Sequence, residues 1–437
     1  MAVNGIDRDA PGRLTAAHGT ALYVGAVLGT AVIALPALGA RAAGPASLLA
    51  WLGLVLLSIA LATTFAALGA RYPDAGGVST YVRRAFGARA ATVAGWCFYL
   101  AAIPAGAPAA GMFAGGYVAA AAGGGRASVL ATAAGLMATV TVANLLGIQV
   151  SARLQLALAG LLAALLAVAA ATSLPHARLS NLHPFAPHGW AAAGTAAGLL
   201  VWGSAGWEAI THLAAEFRRP GRDLPRATAA ALVVVGVLYL AIAAATILVL
   251  GAAAGRSAAP VADLLVRGTG GPAHMIAAVM AVLLTLGVMN AYLAGAAKLG
   301  AALARDGAMP GWLASGSRAG QVPRRSLLFI AALSGAALFA VAVSGASTHP
   351  LVLLVNGALV VVYALGTAAA IRLLPRRSVA RRAAVTAFAA SLALAVSIGW
   401  YLAWAAALAG GALLYLRHRE RVPTQARSRD HERRTAL

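Results

Sequence analysis

Glu208, His212 and Glu216 follow one another at four-residue steps, a spacing that puts all three on one face of a helix. Two carboxylates with an imidazole between them can hand a proton along a line, since histidine titrates close to neutral pH. The same trio offers metal-ligand types, but it falls near a helix end and no metal is expected there. A plainer role is also open, with Glu208 hydrogen-bonded to backbone and His212 marking an interface. His176, His183 and His188 lie among Pro175, Pro184 and Pro187 with no neighbouring cysteine or carboxylate, and read as a solvated loop. The single cysteine, Cys97, excludes an internal disulfide and a thiolate metal site. No nucleophile–base pair or phosphate-binding glycine loop occurs in the apolar segments, so neither catalysis nor a cofactor is expected.

The elements that must hold these residues are set by composition. Of 437 residues, 61% are hydrophobic and only 10% charged, against about 25% charged in soluble domains. Such a chain covers itself with lipid, not water. The hydropathy pattern predicts an all-α polytopic membrane protein with about twelve transmembrane helices, at 19–43, 46–70, 92–122, 128–148, 150–174, 190–214, 227–251, 273–304, 326–344, 348–371, 382–398 and 400–416. Glu208 is then the one acidic residue inside a span, and an ionisable group at that depth is a functional candidate by default. The net charge of +22 does not signal nucleic acid. Of the 33 Lys and Arg residues, 28 fall on alternate loops and both termini, and only Arg41, Arg126, Arg178, Arg256 and Arg267 on the other side. That asymmetry places both termini in the cytoplasm of a bacterial inner membrane and suits anionic lipid. The N-terminal span, continuing past Pro36, reads as a retained helix and not a cleaved signal.

Two spans carry interruptions. The first contains Gly25-Ala26-Val27-Leu28-Gly29-Thr30 and the sixth Gly203-Ser204-Ala205-Gly206-Trp207-Glu208. In hydrocarbon a helix unwinds only where something else satisfies its backbone, and paired breaks at corresponding positions point to an inverted-repeat binding site. The chain divides accordingly into a tail (1–18), a first repeat (19–174), a second repeat (190–371), two added helices (382–416) and a basic tail (417–437). The segments after spans two and seven, Val78 to Gly87 and Pro260 to Gly268, are both short and amphipathic. Asn290 and Asn356 lie in apolar spans and read as interhelical hydrogen-bond partners.

Several fragments together resemble the amino acid–polyamine–organocation superfamily over nearly the whole length. They are Gly29-Thr30 with Pro36-Ala37; Tyr72-Pro73-x-Ala75-Gly76-Gly77 with Tyr81-Val82 and Ala85-Phe86-Gly87; Gly206-Trp207-Glu208 with the run from Glu216 to Ala227; and Ala304-Arg305-Asp306-Gly307-Ala308-Met309-Pro310. Val27 to Thr30, Ile103-Pro104-x-Gly106-x-Pro108-Ala109-Ala110, Glu208-Ala209-x-x-His212 to Phe217, and Asn356-Gly357 resemble the bacterial exporters of methionine and branched-chain amino acids. The resemblance implies a leucine-transporter-type core of five plus five inverted helices with two appended, and an exporter of small neutral amino acids driven by proton antiport. An importer or exchanger of the same fold is the alternative; a channel or structural membrane protein would have unbroken helices. On helix-dipole grounds Val27, Leu28, Gly29 and Thr30 would receive an α-carboxylate. Carbonyls at Trp202, Ser204 and Ala205, beside Gly206, would receive an α-ammonium. Ile103, Trp202 and Trp207 would line an apolar pocket, and Glu208, His212 and Glu216 would couple protons and gate. Ala31 stands where the superfamily's break has a second glycine, which limits how far the first helix can unwind.

Overall fold

The computed structural model of the chain describes residues 14–73, 77–147, 152–208, 211, 214, 217–270, 273–316 and 321–435. The first crossing is two helices, α1 (Ala16–Leu28) and α2 (Ala31–Ala43), and the second is α3 (Ser47–Arg71). A short helix, α4 (Gly77–Phe86), leads into α5 (Ala88–Trp96) and α6 (Ile103–Ala122), which make the third crossing through one widened turn, Cys97–Ala102. Pro104 follows that turn and has no N–H to offer the preceding carbonyls, which is where a wide turn is tolerated. Next come α7 (Arg126–Leu145), α8 (Ala152–Ser173) and α9 (Ala191–Leu200), the last extended by a 3-10 turn to Ser204. After α10 (Pro220–Ala245), a second short helix, α11 (Pro260–Thr269), leads into α12 (Ala273–Arg305). The series ends with α13 (Arg324–Ser344), α14 (His349–Leu373), α15 (Val379–Ile398) and α16 (Leu402–Thr435).

Among the described residues nine helical runs are long and apolar enough to cross a bilayer. Two of them, Ala16–Arg71 and Val379–Arg419, are 56 and 41 residues long, and a crossing needs only about 20. Each divides at a short 3-10 turn, Gly44–Ala46 and Gly399–Tyr401, and holds two crossings. With the shorter apolar helix Ala191–Ser204, the described residues supply the twelve spans that hydropathy predicts. The fold is all-α and polytopic. Large apolar side chains such as Leu56, Val237, Phe339 and Val396 remain on the outside, as a lipid-facing surface requires. The third and seventh spans start earlier than hydropathy marks, at Ala88 and Pro220. Gly87 takes a positive φ of 86° before the one, and Pro220 opens the other, where its missing N–H costs nothing.

The helices meet in reciprocal pairs. The span after α7 packs its α8 against α11, while α14 packs against α4; α6 lies against α13, and α12 against α7. Close approach depends on small residues. On α6, a Cβ added to Gly115 would sit 2.6 Å from the Val129 carbonyl oxygen of α7, and one on Gly111 2.9 Å from the Ala133 Cα. This four-residue glycine pair lets two backbones touch. At one end of the bundle, Leu14 and Phe217 form a parallel bridge, with the Arg218 N–H donating to the Leu14 carbonyl at 3.0 Å. The Phe217 ring lies where a side chain on Gly19 would go, 2.6 Å from its ideal Cβ. Arg83 of α4 pairs with Asp306, just past α12, at 2.9 Å.

The glycine contact yields a direct expectation. Gly115→Leu should push α6 off α7 and cost about 3 kcal/mol or more, read as an early thermal transition of the detergent-purified protein. Gly135→Leu, with nothing within 4 Å of the added Cβ, should melt with the unaltered protein. Equal melting of the two variants would refute the contact.

Candidate functional site

The first break is two residues long. Val27 and Leu28, expected in the unwound stretch, remain in the last turn of α1, and only Gly29 and Thr30 lie between α1 and α2. Gly29 has φ 24° and ψ −134°, which ends the helix at a cost other residues would pay in backbone strain. Ala31 resumes the helix at once, so the extra unwinding that a second glycine would permit does not occur. The last carbonyls of α1 and the first N–H groups of α2 are thereby freed within one short turn.

The second break is longer. The chain leaves the 3-10 turn at Ser204, Ala205 is extended (φ −63°, ψ 133°), and Gly206 has φ 114°. Residues 205–208 form a turn, so Glu208 does not sit on a helix. The physical reason is local. The Glu208 carboxylate folds back and accepts from the Gly206 N–H at 3.1 and 3.2 Å, and from the Tyr363 hydroxyl of α14 at 3.1 Å. At 3% exposure it is buried, and these donors take the place of water around its carboxyl oxygens. His212 and Glu216 lie outside the described residues.

Side chains from neighbouring helices satisfy the frayed ends. The Tyr239 hydroxyl of α10 is 2.8 Å from the Val27 carbonyl oxygen and 3.0 Å from that of Gly203, within donating reach of both breaks. Its ring is fixed edge-on to Trp51 at 5.2 Å. Asn356 of α14 donates to the Gly198 and Leu199 carbonyls at 2.8 and 2.9 Å, at the end of α9. The second break also touches the end of α1 directly: a Cβ on Gly206 would lie 2.9 Å from the Ala26 carbonyl carbon and oxygen. Only glycine permits that approach.

Beside this junction is a cavity of about 70 Å³. Ala26, Val27, Thr30 and Ala31 line it from the first span, and Trp202 and Ala205 from the sixth. Phe98, Ile103 and Gly106 come from the third, Val288, Met289 and Tyr292 from α12, and Val355 and Leu359 from α14. The lining residues are almost all apolar, with Thr30, Tyr292 and Trp202 the ones whose side chains carry an N or O atom. The Tyr292 hydroxyl is buried and has no hydrogen-bond partner among the described residues. A buried orphan of that kind costs about 1–3 kcal/mol unless a ligand or water meets it.

Of the residues picked out by sequence, the structure gathers Val27, Thr30, Ile103, Trp202 and Ala205 around the cavity. Leu28, in the last turn of α1, Ser204, at the end of its 3-10 turn, and Gly29 and Gly206, in the breaks, are not among the lining residues. Ser204 turns its hydroxyl onto the Val201 carbonyl at 2.6 Å. Trp207 is fully buried against Tyr23, ring centroids 5.4 Å apart, and is not in the cavity wall. The Trp202 carbonyl already accepts from the Ala205 N–H at 3.0 Å. Sequence reasoning missed Phe98, Val288, Met289, Tyr292, Val355 and Leu359, because apolar residues in an apolar span carry no local mark of facing a cavity. Tyr239 left a faint signal, as a phenol inside a hydrophobic run.

A bundle of apolar helices, two of them broken and facing one small chamber, defines a polytopic solute transporter. The amino acid permease family model matches residues 17–419, and the chain belongs to that family. It is 33% identical over 407 residues to an uncharacterized amino acid permease, YecA, of Bacillus subtilis, covering 92% of this chain and 95% of that one. It is 41% identical over 227 residues to the L-methionine/branched-chain amino acid exporter YjeH of Escherichia coli, covering 51% of this chain and 53% of that protein. The branched-chain amino acid permease BcaP of Bacillus subtilis is 28% identical over 318 residues, 67% of each chain. These relatives are named as permeases and transporters, not enzymes.

Two substitutions probe the junction. Tyr239→Phe removes the donor to Val27 and Gly203 and should lower stability by about 1–3 kcal/mol, seen as an earlier thermal transition, with weaker solute binding. Gly29→Leu should leave the protein inserted and abolish binding, since its Cβ meets Val288 at 3.3 Å and φ is positive. Normal affinity in the second variant would remove the first break from the site.

Proposed function

We propose that this permease exports small neutral amino acids of the branched-chain and methionine type across the bacterial inner membrane by alternating access, in exchange for protons. The observation that carries the reading is the packing of the second break, at Gly206, on the carbonyl end of α1 at Ala26, beside a chamber with apolar walls. A zwitterion needs its two charged ends met by backbone dipoles and its side chain by hydrocarbon. In this reading Gly29, Thr30 and the first N–H groups of α2 receive the α-carboxylate, with Val27 and Leu28 closing α1 above it. The carbonyls near Trp202, Ser204, Ala205 and Gly206 receive the α-ammonium. Ile103 and Trp202 flank the side chain, and Trp207 backs the second break.

The architecture proposed is a leucine-transporter-type inverted repeat, 19–174 and 190–371, with 382–416 appended and both tails, 1–18 and 417–437, in the cytoplasm. The reciprocal packing of α8 with α11 and of α14 with α4 supports it, since an inverted pair of repeats exchanges such contacts. The basic loops support the orientation.

Coupling is assigned to Glu208, with His212 and Glu216 carrying the proton toward the cytoplasm. As a carboxylate, Glu208 accepts from Gly206 and Tyr363 together; once protonated, one of its oxygens becomes a donor and the hold on the turn relaxes. Export is favoured by the likeness to an exporter, while the likeness to a branched-chain permease keeps import or exchange as the second reading. Everted vesicles decide between them. Acidifying the lumen should drive uptake of labelled leucine or methionine, and uptake confined to right-side-out vesicles would establish import. Glu208→Gln should abolish the dependence on the proton gradient; unchanged transport with an unchanged pH profile would end the coupling role.

A further inference from the structure

Gly106 lines the cavity from α6, a helix that carries neither break. Unlike its neighbours Gly111 and Gly115, it is not required by packing. A Cβ added at 106 would meet the Val355 Cγ2 at 3.7 Å and the Trp202 Cη2 at 3.9 Å, both ordinary van der Waals distances, and nothing nearer. Its φ is not positive either. A glycine inside a helix is less stable than alanine at the same place, so nothing in the fold accounts for the missing methyl. What its absence does is keep open the space between Trp202 and Val355, inside the chamber. That chamber, at about 70 Å³, is roughly half the ~150 Å³ of a cavity that holds benzene. In a space so small, one methyl in the wall decides what fits.

We infer that Gly106 is a specificity-determining residue: the gap it leaves between Trp202 and Val355 receives the outer part of a branched or thioether side chain. This rests on the functional reading above and adds to it the place where side-chain length is measured. The break residues set which charged ends bind; Gly106 sets how far the apolar end can reach. Its neighbour one turn earlier, Ile103, closes the same face.

The test uses the full-length protein in proteoliposomes, with alanine, valine, leucine, isoleucine and methionine as labelled solutes. Gly106→Ala should melt no earlier than the unaltered protein. It should keep alanine transport while lowering kcat/KM for leucine, isoleucine and methionine by about tenfold or more. Adding Val355→Ala should restore the larger solutes, because it removes both γ-methyls, including the Cγ2 that faces position 106. Gly135→Ala, on the open outer surface, serves as the control and should leave all ratios unchanged. If Gly106→Ala lowers every solute equally, or leaves the leucine-to-alanine ratio where it was, the inference is wrong. If the unaltered protein moves none of the five, the functional reading itself falls, a result read before any variant is made.

Discussion

One hydroxyl group within donating reach of two carbonyls organises the centre of this protein. A helix that stops inside hydrocarbon leaves backbone groups that lipid cannot hydrogen-bond, and here two helices stop side by side. Tyr239 sits within reach of Val27 and Gly203 together, so the ends of both breaks are met from a third helix. Asn356 does the same for the end of α9, and Glu208 for the Gly206 N–H. Away from the junction, the Tyr117 hydroxyl donates to Ile33 at 2.7 Å and accepts from the Val261 N–H at 3.2 Å, tying α2 to the start of α11. The bundle tolerates irregular backbone because polar side chains on α6, α10 and α14 are placed to meet it.

This arrangement separates two tasks that one residue could not perform together. Small residues bring backbone to backbone: Gly206 against Ala26, Gly111 and Gly115 against α7. Aromatic and aliphatic residues from α6, α12 and α14 then build the chamber around the contact. The polar groups of the junction are main-chain dipoles and the side chains that meet them from behind, and the chamber's walls are free to be apolar. In the proposed transport cycle that division lets the charged ends of a solute be held identically whatever its side chain, while the wall alone discriminates.

Glu208 has a structural part that the sequence allowed for. Its carboxylate ties the second break into a turn and meets the Tyr363 hydroxyl of α14. A titratable group with that duty links any change in its protonation to the shape of the break, which is the physical content of the proposed coupling. The polar partner comes from a helix more than a hundred residues away in the chain. Tyr292 of α12 lines the same small chamber, and its buried hydroxyl has no hydrogen-bond partner among the described residues.

Composition and hydropathy alone established the all-α membrane class, the number of spans, the two amphipathic connecting helices and both sites of interruption. These are local properties: burial in lipid is written into each span, and Gly29 and Gly206 mark breaks because only glycine accepts their dihedral angles. The break at Gly29-Thr30 is short for a reason also legible locally, the alanine at 31. What only the tertiary structure decided is which side chains meet. Phe98, Tyr292, Val355 and Leu359 surround the cavity, Trp207 turns away toward Tyr23, and Glu208 lies in a turn and not on a helical face. In a chain where nearly every span is apolar on all sides, periodicity cannot tell a cavity-facing residue from a lipid-facing one. That distinction is made only when twelve helices are packed and the backbone at two broken ones has found its donors.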